Sequence, residues 1–241
     1  MCPFRKLIAR VSFMMTFIDI HTHKENSEPG VITVQNIYPG EGFGAFRGNN
    51  YYSVGLHPWH IKSGQENNRM LETVEKSCKF DHVIFIGECG LDKQCGMDFK
   101  EQERVFLQQV ELAEKMGKPV IIHCVKAYEE ILAIRKKLNV KTPWIIHGFT
   151  GNTQQAGQLA KHGFLFSFGK ALFNEGSKAA EAFRRLPENL IFLETDELPE
   201  PVKEIYKKAS EIRGTGISLL AKSIESNFNR LLGKNELVKP D

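Results

Sequence analysis

The sequence has few of the features that mark secreted or membrane proteins. Its 241 residues include five cysteines, an odd number, and no two of them have the C-x-x-C spacing of a zinc ribbon. A disulfide framework is therefore not expected, and the cytoplasm is the expected compartment. No apolar run approaches the roughly 18 residues that a membrane span needs, so we expect no membrane partner.

A strong excess of one charge is also absent. The 32 lysines and arginines are balanced by 29 aspartates and glutamates, which leaves a formal net charge of +3. This charge is too small to indicate by itself a surface for nucleic acid or anionic lipid. The contents of 41% hydrophobic and 25% charged residues are typical of a globular protein and argue against disorder, collagen and coiled coil.

No linker, internal repeat or low-complexity segment divides the chain. The first residues carry three basic side chains and a short apolar run, but no small-residue cleavage site follows them. The segment instead continues directly into an apolar run typical of a strand. We therefore predict a disordered or loosely attached extension over residues 1–15 and one domain over residues 16–235.

Eight short apolar runs recur along the chain, most of them alternating with helical segments. Their continuous apolar character is typical of parallel strands that are covered on both faces. The runs are Phe17–His21, Val31–Ile37, Tyr51–Leu56, His82–Gly87, Pro119–His123, Trp144–His147, Phe164–Phe168 and Leu190–Glu194. This pattern predicts an α/β fold, a single TIM (β/α)8 barrel, with a doubly wound open sheet as the alternative.

Helical segments follow the later strands but not the first two. The segments are Gln65–Cys78, Asp98–Met116, Tyr128–Leu138, Thr153–Lys161, Glu175–Arg185 and Pro201–Leu232. The gaps between the first three strands are short and contain several glycines and a proline, which break helices. We therefore expect the first two barrel helices to be reduced or missing.

Histidines and carboxylates stand at the ends of five predicted strands. In a parallel barrel these ends share the face that carries the active site. The six residues are His21, His23, Glu88, His123, His147 and Asp196. Four imidazoles and two carboxylates are donors that suit Zn, Mn, Ni or Fe and are too rich in nitrogen for Ca.

Six donors exceed the needs of one tetrahedral ion. They suit two ions about 3.5–4 Å apart with a shared carboxylate, and Glu88, central in strand order, is the expected bridge. We assign Asp196 a catalytic role with Glu88, since a carboxylate at the cavity rim can also accept a proton from the attacking water.

Four further residues are candidates for substrate contacts. His57, before Pro58, ends the third strand, although it could instead order the loop. Lys126 is the best phosphate contact, with a solvated helix start as the alternative. Phe149 and Thr150 form a turn whose backbone N–H groups could bind an anion, or an ordinary strand-to-helix connection.

Three other side chains near the same strand ends have open roles. Asp19 has the same strand parity as His21, so it either orients a ligand from below or is a structural barrel carboxylate. Trp59 and His60 are expected to be a packing tryptophan and an exposed histidine, with a place in the lining of the cleft as the alternative.

Six ordered stretches make the chain resemble the TatD family of metal-dependent hydrolases, the TatD-type deoxyribonucleases of the amidohydrolase superfamily. They are Phe17–His23, Val54–Pro58, Ile86–Asp92, Pro119–His123, His147–Gly151 and Leu193–Asp196. The resemblance implies a TIM barrel that hydrolyses phosphodiester bonds, usually of DNA. It also implies one or two divalent ions, drawn from Zn, Mg, Mn, Ni and Fe.

The same resemblance implies how the donors are shared. One ion would be held by His21, His23, Glu88 and Asp196, and a second by Glu88, His123 and His147.

Two departures from the family pattern weaken DNA as the substrate. Val125 stands where family members usually have an arginine, and Lys126 cannot replace its bidentate phosphate contact. Glu197–Leu198–Pro199 follows Asp196 in place of a longer basic loop. We expect cleavage of DNA or a small phosphodiester by a monomer or weak homodimer, with an amidohydrolase or lactonase as the alternative.

Overall fold

A computed structural model describes residues 15–25, 28–39, 50–62 and 64–233. Within them, eight parallel strands form one sheet in chain order. The strands are β1 (Phe17–Thr22), β2 (Val31–Ile37), β3 (Tyr51–Val54), β4 (Val83–Asp92), β5 (Val120–Val125), β6 (Trp144–Ile146), β7 (Phe164–Phe168) and β8 (Ile191–Leu193). This is the predicted barrel; the alternative of an open doubly wound sheet, whose strands would not follow chain order, is wrong.

Seven α-helices follow the later strands of the described chain. They are α1 (Gly64–Ser77), α2 (Phe99–Met116), α3 (Tyr128–Lys137), α4 (Thr153–Ala160), α5 (Lys178–Arg185), α6 (Val202–Arg213) and α7 (Ile217–Leu231). Helix α2 buries Phe106, Val110 and Ala113, a spacing of three and four residues that places them on one face. It ends at Gly117, whose left-handed backbone is typical of a helix stop.

The described residues between β1 and β2, and between β2 and β3, contain no α-helix. The first α-helix among the described residues is α1, which comes after β3. On these residues the structure agrees with the predicted reduction of the first two barrel helices. Residues 26–27 and 40–49 of these connections, and most of the predicted N-terminal extension, lie outside the described chain.

The described part of the chain has no paired cysteines and no helix suited to spanning a membrane. Its four cysteines, Cys78, Cys89, Cys95 and Cys124, are all free. None of its helices combines the length and the apolar composition required for a transmembrane segment.

The first and last strands meet along a seam that has few ladder hydrogen bonds. At the C-terminal end of β1, Thr22 and Asp196 form an isolated parallel bridge. There the Asp196 N–H donates a hydrogen bond to the His21 carbonyl over 3.0 Å. Near the N-terminal end of β1, the buried Tyr206 hydroxyl of α6 donates a hydrogen bond to the Ile18 carbonyl and accepts one from the Ile18 N–H, both over 3.0 Å. The seam therefore places Asp196 beside the end of β1.

Candidate metal centre

The barrel brings the six predicted metal ligands together at one end. His21 lies in β1, His23 directly follows it, and His123 lies in β5. His147 follows β6, and Asp196 lies three residues beyond β8. Because all strands are parallel, these positions share one face of the barrel.

Glu88 lies inside β4, which continues to Asp92, so the prediction that it ends its strand is wrong. It is flanked by Gly87 and Gly90, which have φ values of 133° and 151°. A Cβ at Gly87 would lie 2.3 Å from the Ile121 carbonyl oxygen. Glycine at this position lets β4 approach β5 closely, so the two strands stay paired past an irregularity. The polar, glycine-rich sequence around Glu88 had suggested that β4 ends there.

The buried carboxylate of Glu88 faces two different pairs of histidines. Its Oε2 lies 3.4 Å from Nε2 of His21 and 3.5 Å from Nε2 of His23. Its Oε1 lies 2.7 Å from Nδ1 of His123 and 2.7 Å from Nε2 of His147. The two carboxylate oxygens therefore face different histidines, as would suit a carboxylate shared between two ions.

Asp196 completes the side of the cluster formed by β1. Its Oδ1 lies 3.5 Å from Nε2 of His23 and 3.8 Å from Nε2 of His21. Its backbone adopts a left-handed conformation with φ of 54°, which a residue with a side chain rarely takes. Such conformations persist where the surroundings impose them, and here the bridge to Thr22 fixes the residue.

The chemistry of the cluster fits divalent ions. His21 is fully buried, yet neither ring nitrogen has a hydrogen-bond partner among the described residues. An unpartnered buried nitrogen costs free energy unless something binds it. Four sets of donor atoms lie within 4.8 Å of one another, namely His21, Glu88 and His147; His21, His23 and Asp196; His57, Glu88 and His123; and His147, Glu194 and Asp196.

Charges in the cluster are strongly coupled. Burial by itself raises the pKa of Glu88, but the charge of His147 and hydrogen bonds from His123 and His147 hold that pKa well below its usual value. Burial lowers the pKa of His147, yet Glu88 and Glu194 together raise it well above its usual value. The pKa of Asp196 is raised by burial and by Glu194. The cluster therefore concentrates negative charge that a cation would balance.

Two acidic residues without a predicted role support the histidines. Asp92 Oδ2 lies 3.2 Å from Nε2 of His123. Glu194 Oε1 lies 3.4 Å from Nδ1 of His147 and accepts the Gly148 N–H over 2.7 Å. Its position at the end of the predicted strand Leu190–Glu194 is the signal that could have found Glu194. Both contacts orient imidazoles in the way that carboxylates beside metal ligands do.

Asp19 supports the cluster from within β1. Its carboxylate accepts hydrogen bonds from Thr195, over 2.9 Å from the N–H and 2.6 Å from the hydroxyl. Burial raises its pKa to about 7, although both hydrogen bonds from Thr195 act in the opposite direction. Asp19 therefore fixes the segment that carries Asp196.

A cavity of about 560 Å³ opens onto the cluster. It is lined by His23, Gln35, Asn36, Tyr38, Gly55, His57, Trp59, His60, Glu88, His123, His147, Asp196 and Glu197. His57 lies within the cluster itself, with Nε2 3.2 Å from Glu88 Oε1. Trp59 and His60 both line this cavity and both are exposed, so the expected exposure of His60 is confirmed and the expectation of a packing tryptophan is wrong.

The remaining predicted substrate contacts fall into three environments. Thr150 lines a second cavity of about 390 Å³, which shares Asp196 and Glu197 with the first. Lys126 is exposed and lines neither cavity. Phe149 is fully buried, and its N–H donates to the Ser167 carbonyl over 2.9 Å, so this N–H is already paired.

Sequence comparison relates this chain to hydrolases and nucleases. The model of the family described as TatD related DNase matches residues 43–233. YcfH of Escherichia coli K12, described as an uncharacterized metal-dependent hydrolase, is 27% identical over 201 residues, which cover 77% of this chain and 74% of YcfH. The 3'-5' ssDNA/RNA exonuclease TatD of Pantoea ananatis is 26% identical over 202 residues, 75% of this chain and 77% of the exonuclease.

Structural comparison supports the fold. The crystal structure of the TatD homolog YjjV from Escherichia coli K12 superposes with a TM-score of 0.75 and 22% sequence identity. The match covers 90% of this chain and 98% of YjjV. At this identity the likeness establishes the shared barrel.

Proposed function

Because the chain belongs to the TatD related DNase family, we propose that it is a divalent-metal-dependent hydrolase that cleaves phosphodiester bonds. The observation that carries the proposal is the Glu88 carboxylate, whose two oxygens face different histidine pairs. A shared carboxylate of this kind suits a two-ion site for displacement at phosphorus. The exonuclease relative supports a nucleic acid or a small nucleotide as the substrate.

Each residue of the cluster has a proposed place in the reaction. His21, His23 and Asp196 would hold one ion, His123 and His147 the other, and Glu88 both. Divalent ions supply Lewis acidity at phosphoryl oxygens and water that ionises near neutral pH. Asp196 is the base: its carboxylate lies at the cavity and accepts the proton of the attacking water.

The residues beside the cluster orient the reacting groups. His57 and Thr150 remain proposed substrate contacts, because each lines a cavity that includes Asp196. Asp92 and Glu194 hold the rings of His123 and His147 in place. Lys126 and Phe149 are left out of the proposal, since their side chains line neither cavity.

A C–N or C–O hydrolase, such as an amidohydrolase or lactonase, is the second candidate. The observation that favours it is charge, because no lysine or arginine of the described chain lines the cavity of about 560 Å³, here called the main cavity. A polyanionic substrate is normally bound through such side chains. The same cluster would polarise a carbonyl oxygen in place of a phosphoryl oxygen.

A substrate panel separates the two candidates. Protein loaded with Zn, Mn or Ni would be assayed on single-stranded DNA, bis-p-nitrophenyl phosphate and a set of lactones. We expect phosphodiester cleavage, and a loss of about 10²–10⁴-fold in turnover in Asp196→Asn, which lacks the proton acceptor. Unchanged circular dichroism in the variant is the control. Turnover of lactones alone, or near-normal activity in Asp196→Asn, would contradict the proposal.

A further inference from the structure

Trp59 is a large apolar side chain that is held in place yet left open to solvent. The residue is 60% exposed and lines the main cavity. The indole Nε1–H donates over 2.7 Å to Oδ2 of the buried Asp92. Its ring also packs edge-to-face on His57, with centroids 5.1 Å apart. The side chain is thus immobilised without being used in the core, and a fixed, exposed aromatic ring is suited to binding a flat ligand.

Two more aromatic rings lie on the same cavity. Tyr38 and His60 pack with centroids 4.2 Å apart, and both line the cavity with Trp59. The Trp59 ring centroid lies 6.1 Å from that of His123, which places the indole next to the candidate metal centre. Asp196 and Glu197 contribute acidic groups to the same cavity. The cavity therefore combines an aromatic surface with a cluster that would receive a phosphate.

We propose that Trp59 stacks on the base of the nucleotide whose phosphodiester lies at the candidate metal centre, an inference that rests on the proposed function. Every base has a π-face, so such stacking tolerates different sequences. No lysine or arginine of the described residues lines this cavity, so stacking on Trp59 supplies affinity here that phosphate contacts do not. The nucleotide that binds then has an unpaired base, either at the end of a strand or in a short oligonucleotide, because bases within a duplex stack on one another.

A pair of substrates with a common leaving group tests this proposal. Thymidine 5'-p-nitrophenyl phosphate and methyl p-nitrophenyl phosphate carry the same charge and differ in the nucleoside. We expect Trp59→Ala to lower kcat/KM for the thymidine ester by about 5–100-fold relative to the methyl ester. Trp59→Phe is the matched control, because it loses the hydrogen bond to Asp92 but keeps an aromatic face. It should retain most of the preference for the thymidine ester.

The kinetic outcomes are distinct. Equal losses on both esters in Trp59→Ala would mean that the indole acts only by holding Asp92 and His123. If the preference for the thymidine ester over the methyl ester fell equally in Trp59→Ala and Trp59→Phe, that result would also contradict stacking.

Fluorescence provides a readout that does not depend on turnover. The chain has two tryptophans, and the other, Trp144, is fully buried. Thymidine 5'-monophosphate should therefore quench the wild-type emission, and this quenching should be absent in Trp59→Phe. Ribose 5-phosphate, which has no base, should quench neither protein. Quenching without hydrolysis of any phosphodiester would refute the proposed function but support base binding at Trp59. Hydrolysis without quenching would support the proposed function but refute base binding at Trp59.

Discussion

At the scale of single residues, Thr195 is the point where supporting and candidate catalytic groups join. Its hydroxyl lies 2.6 Å from Oδ2 of Asp19 and 2.8 Å from Oγ1 of Thr22, and all three side chains are buried. The next residue along the chain is Asp196. Hydrogen bonds therefore connect Asp19 in β1 to Thr195, the residue directly before the proposed base Asp196.

Replacing Thr195 by valine keeps the side-chain volume and removes the hydroxyl. Because the buried carboxyl of Asp19 loses a partner, we expect the free energy of unfolding to fall by about 1–3 kcal/mol. Urea denaturation followed by circular dichroism measures the change. Thr215→Val, in the turn after α6, is the matched control and should shift stability by less than about 0.5 kcal/mol. Equal effects in the two variants would show that Thr195 has no special role.

The roles of individual site residues are predictable where spacing and strand parity carry information. The chain order of the strands is enough to predict that His21, His123 and His147 lie at one end of the barrel. Asp92 is not predictable in this way, because its contact with His123 depends on β4 continuing past an irregularity at Glu88. The prediction for Trp59 was wrong because a tryptophan is usually buried and a sequence does not show which side of a loop it occupies.

At the scale of elements, α6 takes part in closing the sheet. Neighbouring strands normally satisfy one another's backbone groups, but β8 is only three residues long. The Tyr206 hydroxyl serves Ile18 instead, both as donor and as acceptor. Burial raises the pKa of this phenol, so the hydroxyl keeps the proton that it donates. A helix side chain thus replaces part of a strand ladder, which apolar patterning does not reveal.

Removing this hydroxyl should loosen the seam. Tyr206→Phe leaves the N–H and carbonyl of Ile18 unpaired, so we expect a loss of about 2–6 kcal/mol, since each such group costs about 1–3 kcal/mol. Chemical denaturation measures the loss, and faster exchange of the Ile18 amide hydrogen would locate it. Tyr128→Phe is the control, because its hydroxyl makes long contacts of 3.3 and 3.4 Å with Thr150. A loss no larger than the control's would contradict this account.

At the scale of the whole molecule, we propose that residues 16–235 act as one domain around the candidate centre. The eight-stranded order is predictable because apolar runs and helical segments alternate along the chain. The ends of β4 and the closing of β1 on β8 are not, since both depend on close approaches between residues far apart in sequence. Ions bound at this centre would join β1, β4, β5, β6 and the segment after β8, and so stabilise the entire barrel.

Chelation should therefore lower the thermal stability of the metal-loaded protein. A ligand present at 100 times its dissociation constant stabilises a fold by about 2.7 kcal/mol. For a chain of this size that corresponds to a drop of about 5–10 °C in Tm on removal. Scanning calorimetry with and without EDTA measures it. In Glu88→Gln, which lacks the shared carboxylate charge, the drop should be less than half as large. The same drop in both proteins would place the ions elsewhere.

The seam between β1 and β8 has a consequence for the order in which the molecule is made. Thr22 and Asp196 are 174 residues apart, and Ile18 and Tyr206 are 188 apart. A nascent chain that has reached only β8 already contains every histidine of the cluster but neither Asp196 nor Tyr206. Since the ribosome builds the chain from its N-terminus, the proposed base is among the last parts of the centre to arrive. The candidate metal centre thus remains incomplete until the segment after β8 has been made and the barrel can close.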